Sequence, residues 1–402
     1  MAVTIGVSLG PGRSSAVTVQ DGTVLGQLAG SDPAKLLAEV ARTGSAGLVI
    51  DVSRLLADHV LHRHEELSPV AMIRVLPRAA TDPALGRHPD DVVERLVTRR
   101  YTVPGGHDLF GRELRPIDRG ALRAVCQEIQ DSPARDIAVV ASGSPAQPRH
   151  EREVADALQA AMPDARISVA YEFGGQGLAA REATVVLNAA LSGAGGRILD
   201  ACERGARGTP FQIARGDGGW VSPSRFRTLP VLGIGAADAL QLQGAASLAG
   251  AEDCRVLLDR VPEPMVGDVR NGLAAVRPQT VAELGTVLVV PTAALTRAGA
   301  SRASDIALVT AERPADELTC VGAAVSRPMA WLDEIAFIES TAELEGIRRD
   351  AHARATAIAT ANGATPGSAD VVEMSTVAVP YSPSGTVRVR VRVAGVAEEP
   401  GA

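Results

Sequence analysis

The sequence predicts an α/β protein of two lobes, each a mixed sheet flanked by helices, and three observations carry that reading. Residues 3–62 read in the order βββαβα. Residues 119–204 then alternate helix and strand regularly. At 402 residues the chain is long enough for two full cores. The expected division is 1–175 and 176–402.

The elements follow from local chemistry. Strands are expected over 3–9, 15–20 and 23–28, the last two joined at Asp21-Gly22, a dipeptide suited to a tight hairpin. Asp32 before Pro33 predicts an N-cap and the first position of a helix. The apolar run "GLVI" at 47–50 reads as a buried strand and "DVSRLLADHVLH" at 51–62 as a helix. Residues 77–118, rich in Pro, Gly and Arg, predict a long surface excursion. Helices at 119–131 and 149–161 alternate with strands at 136–142 and 167–173, and a long helix runs from Leu178 to Arg204. Short strands surround "RGDGG" within 211–230, followed by a helix over 236–249 and a strand over 254–259. The last third is looser: strands near 287–290 and 305–309, a helix from 342 to 361, and the strands "DVVEMSTVAV" and "TVRVRVRVA". In the final strand Val387, Val389, Val391 and Val393 share one face while Arg388, Arg390 and Arg392 share the other. That pattern predicts a half-buried strand with a solvated arginine face that discourages edge pairing.

Composition excludes several functions. Aromatic residues make up only 2%, so aliphatic side chains must fill the interior, and a net charge of −7 with few stacking rings argues against a nucleic-acid partner. No apolar run reaches the roughly 18 residues of a membrane helix, and no basic leader precedes one, so a cytoplasmic protein without membrane contact is expected. Lys35 is the sole lysine, which rules out a G-x-x-x-x-G-K-[ST] loop and leaves one Schiff-base candidate, on a surface helix. Cys126, Cys202, Cys254 and Cys320 form no C-x-x-C pair, so neither a disulfide framework nor a zinc knuckle is signalled.

Among short motifs, His59, His62 and His64 lie beside Glu65 and Glu66, but no third ligand set accompanies them; they read as a polar helix end, and no metal is predicted. Gly175-x-Gly177-x-x-Ala180 has the form of a dinucleotide-binding turn without the acid-ended second strand about 20 residues on, so it reads as structural, with a dinucleotide oxidoreductase as a distant alternative. Gly233 and Gly235 precede a helix whose N-terminus suits an anion. No G-x-S-x-G elbow occurs.

Several segments together resemble the hydantoinase/oxoprolinase family, whose ATP-dependent members open cyclic amides. "QPRHERE" at 147–153 is similar to the family's N-P-x-H-E-R turn, and "REATVVLNAA" at 181–190 to its R-T-S-T-T-V-L-N-A helix. Residues 214–250, from "ARGDGG" through "LGIGAADA", resemble the Q-S-N-G-G turn and the S-G-P-A-A-G helix entry. The C-terminal segment, with Tyr381 and Pro383, resembles the family's ending. The resemblance implies two ribonuclease-H-like lobes of the actin-like ATPase type, gripping ATP and Mg²⁺ between two phosphate hairpins. Carried onto this chain, the catalytic residues are Asp259 and Asp217, and the ligand is held by Gly10, Gly12, Ser14, Gly218, Gly219, Gly233 and Gly235.

The hairpins depart from the family pattern. In "IGVSLGPGRSS" Ser8 stands where the family has Asp and Pro11 interrupts the glycines. In "LLDRVPEPMVGD" Asp259 is kept, but Val261, Pro262 and Glu263 replace two glycines and a threonine. Proline removes an N–H donor and valine takes positive φ only at a cost. A third glycine turn is echoed by "CVGAAVSRP" at 320–328, where Gly322 remains. The expectation is a family-like protein without nucleotide chemistry: a non-catalytic subunit or small-ligand-binding partner, associated with a second family subunit or with itself. ATP and Mg²⁺ are expected only if the family mechanism persists, in which case the chain is an ATP-dependent amidohydrolase acting on a hydantoin or 5-oxoproline.

Overall fold

Three strands of alternating apolar residues start the fold, and the parallel strand Gly47–Asp51 pairs with the first of them. A computed structural model describes residues 4–397 other than 21, 45–46, 79–85, 261, 282, 301–305 and 381. Expectations that fall on Val3, Asp21, Val261, Asp305 and Tyr381 therefore lie outside the described residues.

The first sheet runs in the order Trp220–Val221, Phe211–Ala214, Gly47–Asp51, Thr4–Ser8, Ser14–Gln20, Thr23–Gly30, so two strands from beyond position 175 complete it. Its helix begins as the sequence predicts: the Asp32 carboxylate accepts from the N–H groups of Ala34 and Lys35, ahead of Pro33. The second sheet, Arg166–Val169, Asp136–Ala141, Val70–Leu76, Val97–Pro104, is parallel throughout. The helix Leu178–Ala206 is buried along most of its length and shares one aliphatic core with both sheets. Further on, a sheet built around Cys254–Leu258 and Met265–Arg270 and a three-stranded C-terminal sheet complete a mixed α/β architecture of several sheets flanked by helices. No helix among the described residues is long and apolar enough to cross a membrane.

Three expectations are corrected. Residues 77–118 are not only a surface excursion: Val97–Pro104 is a strand pairing in parallel with Val70–Leu76, itself unanticipated, whose residues are mostly buried. The run with Gly322 is not a turn but the middle of the helix Ala315–Val325, which crosses the helix Ala236–Leu248. A Cβ at Gly322 would collide with the Leu240 carbonyl, and one at Gly244 with the Leu318 carbonyl, so the glycines serve a close helix crossing. Thirdly, Thr386–Ala394 is the central strand of its sheet rather than an edge. Its valine face is buried as expected, packed on alanines of the helix Thr341–Ala361. The opposite face is not solvated: Arg388 and Arg390 pair with Asp333, while buried Arg392 donates to the carbonyls of Ala274 and Asp217.

The segments that carry the family resemblance are braces of this scaffold. Glu151, fully buried, accepts from the N–H groups of Ala141 and Tyr171 at 2.7 Å each. Glu182 takes a two-pronged pair from Arg74 at 2.8 and 2.7 Å. Asn188 donates to Ser168 and to the Thr228 carbonyl and accepts from Val231 N–H. Each ties the long helix, or the helix Arg149–Ala161, to strands and loops distant in sequence.

Candidate functional site

The first hairpin turns through Leu9–Arg13, with Gly12 at φ 74 and the Gly10 N–H donating weakly to Ser14 at 3.4 Å. Ser8 lacks the carboxylate the hairpin pattern calls for, yet one stands beside it. In the parallel register Ser8 lies opposite Asp51, and Ser8 Oγ donates to Asp51 Oδ2 at 3.0 Å. Asp51 is fully buried and also accepts from Ser53 N–H at 2.9 Å. Burial raises its pKa, against the lowering effect of these hydrogen bonds and of Arg54. The Arg54 guanidinium covers Gly10, within 2.7–2.8 Å of where a Cβ would stand. Across the hairpin, Asp316 accepts from Arg13 Nε at 2.9 Å and Ser15 Oγ at 2.7 Å, which fixes the hairpin to the helix Ala315–Val325.

In the second hairpin Asp259 is exposed, while Arg260 folds back onto Asp238 at 2.6 Å and Gln241 at 2.8 Å, both on the helix Ala236–Leu248. Glu263 pairs with Arg297 at 2.6 Å. Glu283 joins the two hairpins electrostatically. Burial, then the charges of Asp238 and Asp51, push its carboxyl up to about 7, and Arg260 and Arg54 oppose the rise. Its Oε2 is buried without a hydrogen-bond partner. Three carboxylates, Asp51, Asp238 and Glu283, thus surround two guanidiniums, Arg54 and Arg260.

The other carried-over residues lie elsewhere. Asp217 is buried in the turn before Trp220–Val221, paired with Arg215 at 3.0 Å and accepting from Gly219 N–H at 3.1 Å. Gly218, at φ 81, faces the buried Gln243 amide, whose oxygen and nitrogen both lack hydrogen-bond partners. Gly219 packs on Met329, and Gly233 against Leu56 and Phe226. Gly235, at φ 71, caps the helix Ala236–Leu248. Gly175 packs against Val289, in keeping with a structural turn.

Sequence reasoning did not single out Asp51, Arg54, Asp238, Arg260 or Glu283. The available signal was Asp51 closing a parallel strand, since ligands in α/β sheets gather at the carboxyl ends of strands.

His59 is buried beside Glu66 while His62 and His64 are exposed, and no third ligand joins them among the described residues. A different group, His107, Glu113 and His150, does assemble. Here His150 Nδ1 accepts from Gly106 N–H at 2.9 Å, which places the ring proton on Nε2, donating to Glu113 at 2.9 Å. A metal at Nε2 would have to displace that proton from a ring whose other nitrogen is already engaged, so the group is a hydrogen-bonded brace.

The fold is a mixed α/β one of several sheets flanked by helices, consistent with the two-lobe actin-like arrangement that the family resemblance implies. Residues 85–162 match the model of the hydantoinase/oxoprolinase N-terminal region, which bears out the family resemblance. No curated protein matches the chain. Among solved structures, the chain is similar to nucleotide-free acetone carboxylase, at TM-score 0.66 and 11% identity over 99% of this chain and 88% of that one. It is also similar to the ATP-dependent caprolactamase from Pseudomonas jessenii, at TM-score 0.71 and 12% identity with the same coverage. At these identities the likeness is one of fold.

Proposed function

We propose that this hydantoinase/oxoprolinase-like chain is a non-catalytic, small-ligand-binding subunit whose hairpins no longer clamp a triphosphate. The observation that carries this reading is the self-neutralised charge between the hairpins. Arg260, the cation of the second hairpin, is already bound to Asp238 and Gln241. Arg54 covers Gly10 and has Asp51 and Glu283 as charge neighbours. A phosphate oxygen held at about 4 Å from one such carboxylate is opposed by about 4 kcal/mol at an effective dielectric of about 20. Pro11 and Pro262 offer no N–H to compensate. The four cysteines are free and buried, which suits a reducing cytoplasm, and the partner is a second family subunit or another copy of the chain.

One observation favours the second reading, an active ATP-dependent amidohydrolase. Asp51 supplies beside Ser8 the carboxylate that the first hairpin lacks, an oxygen ligand of the kind Mg²⁺ takes. Phosphate release from MgATP in the presence of hydantoin or 5-oxoproline separates the two. The proposal expects no release above the protein-free rate. Release that disappears in Asp51→Asn would establish the second reading.

A further inference from the structure

Away from the hairpins, five elements enclose a cavity of about 140 Å³: the turn Ala170–Glu172, the helix Pro223–Thr228, and parts of Thr286–Ala293, Met329–Phe337 and Thr341–Ala361. None of Asp51, Arg54, Asp238, Arg260 and Glu283 lines it. With liquid water at about 30 Å³ per molecule, the space equals four or five waters, the scale of a small metabolite.

Its lining includes an arginine, Arg225, without a side-chain partner among the described residues. Arg215 is 6% exposed; Nη1 donates to the Met329 carbonyl and Nη2 is ion-paired with Asp217, but Nε has no hydrogen-bond partner. Trp331 Nε1 is buried and likewise unpartnered. Arg225 makes no side-chain hydrogen bond or ion pair among the described residues, while burial and the charge of Arg215 weigh against its protonated form. Two of the carboxylates that line the cavity are already spent: Asp333 on Arg388 and Arg390, Glu334 on Arg354. Glu172 is exposed and touches Arg225 only through its field. Tyr171, Phe173 and Leu229 supply apolar wall.

We propose that this cavity binds a small monocarboxylate, its carboxylate received by Arg225 and its carbon skeleton lying on Tyr171, Phe173 and Leu229. A guanidinium is built for two-pronged carboxylate recognition, and Arg225 brings one without a side-chain partner among the described residues. A phosphate dianion would bring a second charge toward Glu172. The inference does not depend on whether nucleotide binds between the hairpins.

The test is calorimetric titration of the full chain with propionate, pyruvate and benzoate, against propionamide, benzamide and inorganic phosphate. At least one carboxylate is expected to bind one-to-one, with its amide and phosphate at least tenfold weaker. Arg225→Gln should weaken binding tenfold or more and Arg225→Lys less, both with unchanged melting temperature. Because Trp220 and Trp331 are the only tryptophans, binding should also shift the emission of the Trp220→Phe chain. No binding by any of the three carboxylates, equal binding of an amide or of phosphate, or unaltered affinity in a folded Arg225→Gln would overturn the proposal.

Discussion

Ser8 Oγ and Asp51 Oδ2 meet at 3.0 Å across a parallel strand pair, so a carboxylate absent from the first hairpin in sequence is present beside it in space. That carboxylate is directed inward, to Ser8 and to Ser53 N–H, and belongs to a charge group completed by Glu283, Asp238 and two arginines. The carboxylate beside the first hairpin is therefore already engaged by neighbouring groups of the fold.

Glu283 makes this measurable through pH. Its folded pKa of about 7 lies above the ordinary 4.5, so its contribution to stability is full below pH 4.5 and is lost as pH rises through 7. Glu283→Gln should leave stability unchanged near pH 4.5 and raise it at pH 8 by about 1–3 kcal/mol, the shift being discounted for partial exposure. Urea midpoints at the two pH values check this; an equal effect at both would sink it.

Glu94 predicts the opposite slope. Burial would raise its pKa, but Arg100, the His88 N–H and Arg87 hold it down to about 2. Its contribution is present above pH 4.5 and lost as pH falls toward 2. Glu94→Gln should cost about 2 kcal/mol at pH 7 and almost nothing near pH 2, read from denaturation curves at each pH.

Two helical glycines should respond with opposite sign. Gly322→Ala drives a methyl into the Leu240 backbone and should destabilise by about 3 kcal/mol or more. Gly346→Ala, in the helix Thr341–Ala361 with nothing within 4 Å, should stabilise by about 0.5–1 kcal/mol. Thermal melts compare them, and matching signs would contradict the helix crossing.

Glu151→Ala should cost about 3 kcal/mol or more, because it strands two buried N–H groups and removes the carboxylate nearest Arg181. Glu151→Gln keeps one acceptor and should cost less. Equal losses in equilibrium unfolding would argue against the hydrogen-bond account.

Most helices and paired strands were legible in the sequence because caps, turns and periodicity are local. Asp32 and Pro33 started their helix where expected, and the valines of the last strand found their alanine partners. The segments at 147–153 and 181–190 were legible as family signatures because Glu151, Glu182 and Asn188 each bind fixed scaffold partners. What stayed hidden is non-local. Asp51 reaches Ser8 only through a register 43 residues apart, and Glu283 gains its neighbours from four separate segments. Gly322 looked like a turn residue because the helix it crosses lies some 80 positions earlier in sequence, at Leu240. Arg392 looked solvated because the carbonyls it serves, at Ala274 and Asp217, lie far back along the chain.

The most direct test of the self-neutralised hairpins is calorimetric titration of the whole chain with a nonhydrolysable ATP analogue and Mg²⁺, beside Asp51→Asn and Asp238→Asn. The account predicts no saturable heat from the unaltered chain up to millimolar analogue. A saturable one-to-one isotherm that weakens in either variant would contradict it.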